Sequence, residues 1–189
     1  MNILVIYSHP KNTSLNAALK DAFVEGVSKQ HTVKVLDLYA MKFNPVYEEE
    51  YLNRTVGADV LAIQQDITKS DLLVFVTPTW WYNVPAILKG FFDRVLTRKF
   101  AFDYAKFLGF TYPVRLLKGK KALYITTLNS PWWWYYLGMG NWMIRSLDRG
   151  TLGFCGIGVH YHIICGVLFK SKEQLTKEIE RVKRMASKL

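Results

Sequence analysis

The chain has 189 residues, 25 Lys+Arg against 15 Asp+Glu, a formal charge of +10, and a composition that is 50% hydrophobic and 15% aromatic. That length suits one domain, 1–189, with one buried core, and the half-apolar composition excludes a disordered chain. No apolar run reaches the roughly 18–20 residues that span a bilayer. Met1–Pro10 has no basic stretch ahead of its apolar residues and no small-residue cleavage site, so it does not read as a signal peptide. Cys155 and Cys165 are too few for a disulfide scaffold and read as reduced cytoplasmic thiols.

The predicted elements alternate. Ile3–Tyr7 is a short β-rich apolar run, hence a buried strand. Ser14–Lys29 places Leu15, Ala18, Leu19, Ala22, Phe23 and Val27 at helical spacing, with Ser14 or Thr13 able to cap it. Thr32–Leu38 is the second strand. Ala40–Thr55 reads as a long loop holding Pro45 and the acidic run Glu48–Glu50. Ala58–Lys69 is a helix, Asp71–Thr77 the third strand, Pro78–Asn83 a loop, and Val84–Leu96 a helix that admits Pro85 in its first turn. Lys99–Lys118 reads as an irregular basic-aromatic insertion. Lys121–Thr127 is the fourth strand, and an aromatic stretch, Trp132–Tyr136, leads into a helix around Gly138–Leu147. Gly158–Cys165 is the fifth strand and Ser171–Lys188 the last helix.

Strands and helices alternating at this spacing predict an α/β fold, a doubly wound parallel sheet with helices on both faces. Five strands fit the flavodoxin-like order 2-1-3-4-5. In such a sheet a ligand sits outside the carboxyl ends of the strands, which singles out residues 8–14, 78–83 and 128–136. The first loop ends a strand and opens a helix, where backbone N–H groups bind anions. It has no glycine, so it is neither a nucleoside-triphosphate phosphate loop nor a dinucleotide turn. The second holds Trp80, Trp81 and Tyr82, too many aromatics for one core and suited to a flat ring. The third sets small polar residues beside Trp132, Trp133 and Trp134. One anion-binding turn and two ring-binding loops imply a phosphorylated flat cofactor, with flavin mononucleotide the simplest match.

Whole segments then resemble the NAD(P)H:quinone oxidoreductases of the flavodoxin-like superfamily: Ser8-His9-Pro10, Thr13–Asn16, Asp37–Pro45, Asp71–Pro78, Trp80–Tyr82 and Val84–Val95. The resemblance implies a two-electron flavoenzyme taking hydride from NAD(P)H and passing it to a quinone. By position it gives His9, Thr13, Ser14, Leu15 and Asn16 to the flavin phosphate. Pro78, Thr79, Trp80, Trp81 and Tyr82 go to the ring, and Thr126, Thr127, Leu128 and Asn129 to its pyrimidine edge. FMN is the cofactor expected of a short chain, with FAD the alternative. It further implies a homodimer, while the two thiols imply a cytoplasmic location. The alternative function is a regulatory ancillary flavoprotein docked on a membrane transporter.

One departure stands out. The family has Thr-Thr-Gly-Gly where this chain has Thr126-Thr127-Leu128-Asn129, and Leu tolerates positive φ poorly. The family's Tyr and His near the acceptor are missing, leaving Tyr135 and Tyr136 as the catalytic candidates.

Charge and histidines complete the picture. Residues 94–121 hold eight basic and one acidic side chain, a net of +7, and read as a collar for NAD(P)H phosphates. No nucleic-acid-binding signature accompanies the charge. His160 and His162 share one face of the fifth strand but fit no metal pattern.

Overall fold

In a computed structural model, residues 1–47 and 56–189 are described. The acidic run Glu48–Glu50 and the end of its loop lie outside them.

Five parallel strands form the sheet: β1 (Asn2–Tyr7), β2 (Thr32–Asp37), β3 (Leu72–Pro78), β6 (Lys121–Thr127) and β7 (Gly158–Ile164), in the order β2-β1-β3-β6-β7. Between them come α1 (Leu15–Gly26), α2 (Ala58–Lys69), α3 (Ala86–Val95), the hairpin β4 (Phe102–Phe107) and β5 (Phe110–Arg115), and short α4 (Trp142–Arg145). The chain closes with α5 (Lys172–Ala186).

Alternation of side chains across the strands builds two cores. On one face Leu4, Ile6, Leu73, Phe75 and Tyr124 pack beneath α2 and α3. On the other Ile3, Val5, Val74, Val76, Leu123 and Ile125 pack beneath α1 and α5. β1 and β3 read as unbroken apolar runs because both their faces are covered.

Caps set the helix starts. Ser14 accepts the Ala17 amide and begins α1. Ser171 and Gln174 form a reciprocal capping box on α5. Pro85 sits at the cap of α3, one residue earlier than the first-turn position expected. Gly90 in α3 faces the Pro45 backbone so closely that a Cβ would collide with it. A glycine mid-helix, normally costly, is the residue that lets this helix dock.

Two expectations need correction. Lys99–Lys118 contains a regular antiparallel hairpin, with Phe107 paired to Phe110 across a two-residue turn. Leu108 and Gly109 have φ of 49° and 84°, the signature of a type I′ turn. Pro113 argues against a central strand, but a two-stranded ribbon has only edges and tolerates it. The helix around Gly138–Leu147 is divided. Helical turns cover Trp132–Gly138 and Trp142–Gly150, separated where Gly140 and Asn141 adopt φ of 60° and 58°.

Candidate active site

Register brings the strand ends together. Tyr7 lies beside Val76, Pro78 beside Thr127, and Thr127 beside Ile164. The three loops singled out above therefore leave the sheet side by side. Beneath them runs a layer of buried hydroxyls. Ser8 donates to Thr77 at 2.7 Å, Thr79 and Thr126 are 2.8 Å apart, and Asn16 donates to Thr127 at 3.0 Å. The Thr79 amide also donates to the Thr127 carbonyl at 2.8 Å. These cross-links tie α1 and the ends of β1, β3 and β6 into one platform.

Hydrogen counting shows what the first loop has to spare. Tyr7 donates its single hydroxyl hydrogen to the Lys11 carbonyl, so Ser14, 3.2 Å away, gives its own to Tyr7 Oη. The Ser14 hydroxyl is thus committed to capping. No acceptor within the described residues meets the Leu15 and Asn16 amides, which open the first turn of α1. His9 Nδ1 lies 3.0 Å from the Lys11 amide and 3.1 Å from the Lys11 carbonyl, so this ring nitrogen is taken up within the loop. Thr13 is exposed beside them. Asn16 Oδ1 is buried and has no donor partner.

The second loop is strained. Trp81 and Tyr82 have φ of 51° and 56°, and Trp80 and Asn83 exchange backbone hydrogen bonds across them at 3.0 and 2.9 Å. This is again the φ pattern of a type I′ turn, here with bulky aromatics at both positions where glycine is favoured. Such strain clusters at functional sites. The turn lifts Trp81 almost wholly into solvent, at 97% exposure. Tyr82 folds inward instead: its hydroxyl is 2.7 Å from Ser130 Oγ and its ring stacks on Tyr135 at 6.4 Å and 10°.

At the third loop, neither Leu128 nor Asn129 is among the residues at positive φ. The backbone here does not demand glycine. Leu128 is 5% exposed, and its amide is spent on the Ile164 carbonyl. Thr126 and Thr127 are likewise buried and bonded, so they support the platform from below. Asn129 and Ser130 are the polar residues that reach upward.

Thr79, Trp80, Trp81, Tyr82, Leu128, Asn129 and Ser130 together enclose a cleft of about 300 Å³. Cavities of about 620 and 610 Å³ border Asp93, Leu96 and Tyr104, away from the strand ends. They are larger, but the smaller cleft is the one walled by the aromatic turn at the strand ends, where the His9 ring lies 6.3 Å from that of Trp80. Pro78 is buried under its floor.

The catalytic candidates divide. Tyr135 is 0% exposed, and burial pushes its hydroxyl up to about 12. It meets the cleft only through the Tyr82 ring. Tyr136 is exposed at 39%, and burial of its inner part raises it as well. Ser130, which lies in the third loop singled out above but was given no role of its own, also lines the cleft. Its signal was its place directly after Asn129 in the same loop.

Part of the basic segment is engaged within the protein. Arg94 binds the Asn44 carbonyl and Asp59, Arg98 binds Asp103, and the Lys120 ammonium binds the Thr68 and Ser70 carbonyls. Lys121 begins β6, at the opposite end of that strand from the cleft. Three of the cations are engaged locally, and the segment runs down to that far end. His160 and His162 do share a face of β7, with His162 buried 3.5 Å from Glu178. No group of three or more His, Cys, Asp or Glu assembles among the described residues. Cys155 is buried, which pushes its thiol up to about 11.

A five-stranded parallel sheet in this order, covered on both faces and with its cleft at the strand ends, defines a flavodoxin-like α/β protein. The family profile described as "Flavodoxin-like fold" matches residues 1–188, and the chain belongs to that family. Ribosyldihydronicotinamide dehydrogenase [quinone] of Pongo abelii is 36% identical over 183 residues, covering 83% of this chain and 78% of the relative. A crystal structure from Streptococcus mutans UA159 superposes with a TM-score of 0.88 at 32% identity, covering 100% of both chains. An NAD(P)H:quinone oxidoreductase from Methanothermobacter marburgensis superposes with a TM-score of 0.79 at 27% identity, covering 99% of this chain and 96% of that one. No helix among the described residues is long and apolar enough to cross a membrane.

Proposed function

We propose that the protein is a flavin-dependent oxidoreductase that moves hydride from NAD(P)H to a quinone, acting as a single domain in the cytoplasm. The observation that carries this is the pairing of unmet amides at the start of α1 with an aromatic-walled cleft beside them. The named relatives act on quinones, and the donors in their names share a dihydronicotinamide ring.

The residues fit a flavin phosphate and ring. Two free amides and the Thr13 hydroxyl supply donors for a phosphate at a helix N-terminus, with the His9 ring beside them. Ser14 serves there by fixing the helix start. Asn16 Oδ1 is an unmet acceptor suited to a hydroxyl of the linking chain. Trp80, Trp81 and Tyr82 wall the ring, with Thr79 and Pro78 at its floor, and Asn129 and the edge of Leu128 face its polar rim. Thr126 and Thr127 hold that rim in place. The flavin supplies the redox chemistry, and the protein supplies stacking and orientation.

FMN is preferred to FAD, because the cleft of about 300 Å³ suits one ring system. A homodimer is proposed from the exposed aromatics Trp132, Trp133, Trp134 and Trp142, which a second copy would cover. No observation of its own favours the regulatory-subunit reading. Titration of the protein with FMN and with FAD, followed by flavin fluorescence, tests the proposal. Saturable FMN binding is expected, and uptake of neither flavin overturns it.

A further inference from the structure

A quinone that accepts a hydride becomes a hydroquinonate anion, and one proton must still reach its oxygen. Tyr135 is sealed behind Tyr82 and cannot deliver it. Among the described residues lining the cleft, hydroxyls belong to Thr79, Tyr82 and Ser130. Thr79 Oγ1 lies 2.8 Å from Thr126 Oγ1 and 3.3 Å from Met143 Sδ, so its hydrogen has acceptors inside the protein. Tyr82 and Ser130 differ. The pair owns two hydroxyl hydrogens, and the single bond between them, at 2.7 Å, uses one. The other has no acceptor among the described residues, and Tyr82 is only half-buried.

The geometry points to Tyr82 as the proton donor to the reduced acceptor, with Ser130 as its partner. This rests on the quinone-reductase reading above. A phenol is a stronger acid than an aliphatic alcohol, which favours Tyr82 over Ser130 for the transfer. Its O–H bond breaks as a new O–H bond forms on the acceptor oxygen. The Ser130 hydroxyl hydrogen-bonds the resulting phenolate, which regains a proton from solvent water. No electron passes through either side chain. The strained turn and the Tyr135 stack hold the Tyr82 ring at the cleft wall before any ligand arrives, so the donor is preorganised.

Tyr82→Phe and Ser130→Ala in flavin-loaded protein test this. After reduction by NADH, reoxidation is followed with menadione, which needs the proton, and with ferricyanide, which takes electrons alone. For Tyr82→Phe the menadione-to-ferricyanide rate ratio falls about 100-fold. For Ser130→Ala it falls less and in the same direction. A second readout involves no turnover: 4-nitrophenolate, a stand-in for the hydroquinonate, binds about ten-fold more weakly to Tyr82→Phe. A rate ratio unchanged in Tyr82→Phe, or unchanged nitrophenolate binding, overturns the assignment. Equal slowing with both acceptors also overturns it, since that reports a collapsed turn. Wild-type protein that menadione cannot reoxidise overturns instead the reading beneath it.

Discussion

Replacing Trp81 by glycine should raise stability and lower flavin affinity at once. The side chain is 97% exposed, so its removal uncovers no core. Its φ of 51° is left-handed, which costs a bulky L-residue about 1–2 kcal/mol. Glycine relieves that cost but brings about 0.5–1 kcal/mol of extra freedom to the unfolded chain. The net is about 0.5–1 kcal/mol of stabilisation. For a chain of 189 residues this raises the melting temperature of the flavin-free protein by about 1–4 °C. The same change strips the cleft of an aromatic wall. Stacking of a flat ring on such a wall contributes about 1–3 kcal/mol, so the FMN dissociation constant rises by about 5- to 150-fold. Calorimetry of the apo-protein and fluorescence titration with FMN measure the two halves separately. Destabilisation by more than about 1 kcal/mol refutes the strain argument. Unaltered FMN affinity refutes the placement of the ring.

Further outcomes follow from the same contacts. Gly90→Ala drives a methyl into the Pro45 backbone and should cost about 1–3 kcal/mol, read as a lower urea midpoint. Asn16→Ala strands the Thr127 hydroxyl it now bonds and should cost about 1–2 kcal/mol, with weaker FMN binding in the same titration. His162 is held below its usual value by burial, with Glu178 opposing the shift and Arg181 and His160 adding to it. The unfolded chain therefore binds its proton first, so stability falls as pH drops below about 6.5 and levels off once the folded form is also protonated. In His162→Gln, melting curves between pH 7 and 5 should lose that component. Sedimentation should place the wild-type protein at twice its 21.9 kDa chain mass, and Trp132→Lys should shift it toward the monomer. A wild-type monomer would remove the proposed interface.

Legibility in the sequence followed the physics of each element. Buried parallel strands announce themselves as unbroken runs, so the span of β6 agreed residue for residue and β1 and β3 agreed within a residue at their ends. Their order then placed three loops at one edge before any side chain was considered. The hairpin was hidden because Pro113 and scattered lysines break the alternation, although Leu108-Gly109 between two phenylalanines carried the turn signal. Net charge is a coarser signal. Eight cations close in sequence looked like one patch, whereas the chain carries them from α3 through the hairpin to the far end of β6 and pairs several on the way. The loss of Gly-Gly at Leu128-Asn129 looked damaging, yet the positive φ in this site falls at Trp81 and Tyr82. Sequence spacing carries no φ, and neither does it reveal which hydroxyls are already spent. Tyr82 was legible as a ring-binding aromatic, but its pairing with Ser130 emerged only once partners could be counted.

The central claim is that the cleft between the Trp80–Asn83 turn and the Leu128–Ser130 loop holds a flavin that cycles between a dihydronicotinamide and a quinone. Anaerobic stopped-flow spectroscopy of FMN-loaded protein tests it most directly. Mixing with NADH should bleach the flavin band near about 450 nm, and a second mix with menadione should restore it. Protein that stays colourless after FMN and FAD are offered, or flavin that NADH cannot bleach, would contradict it.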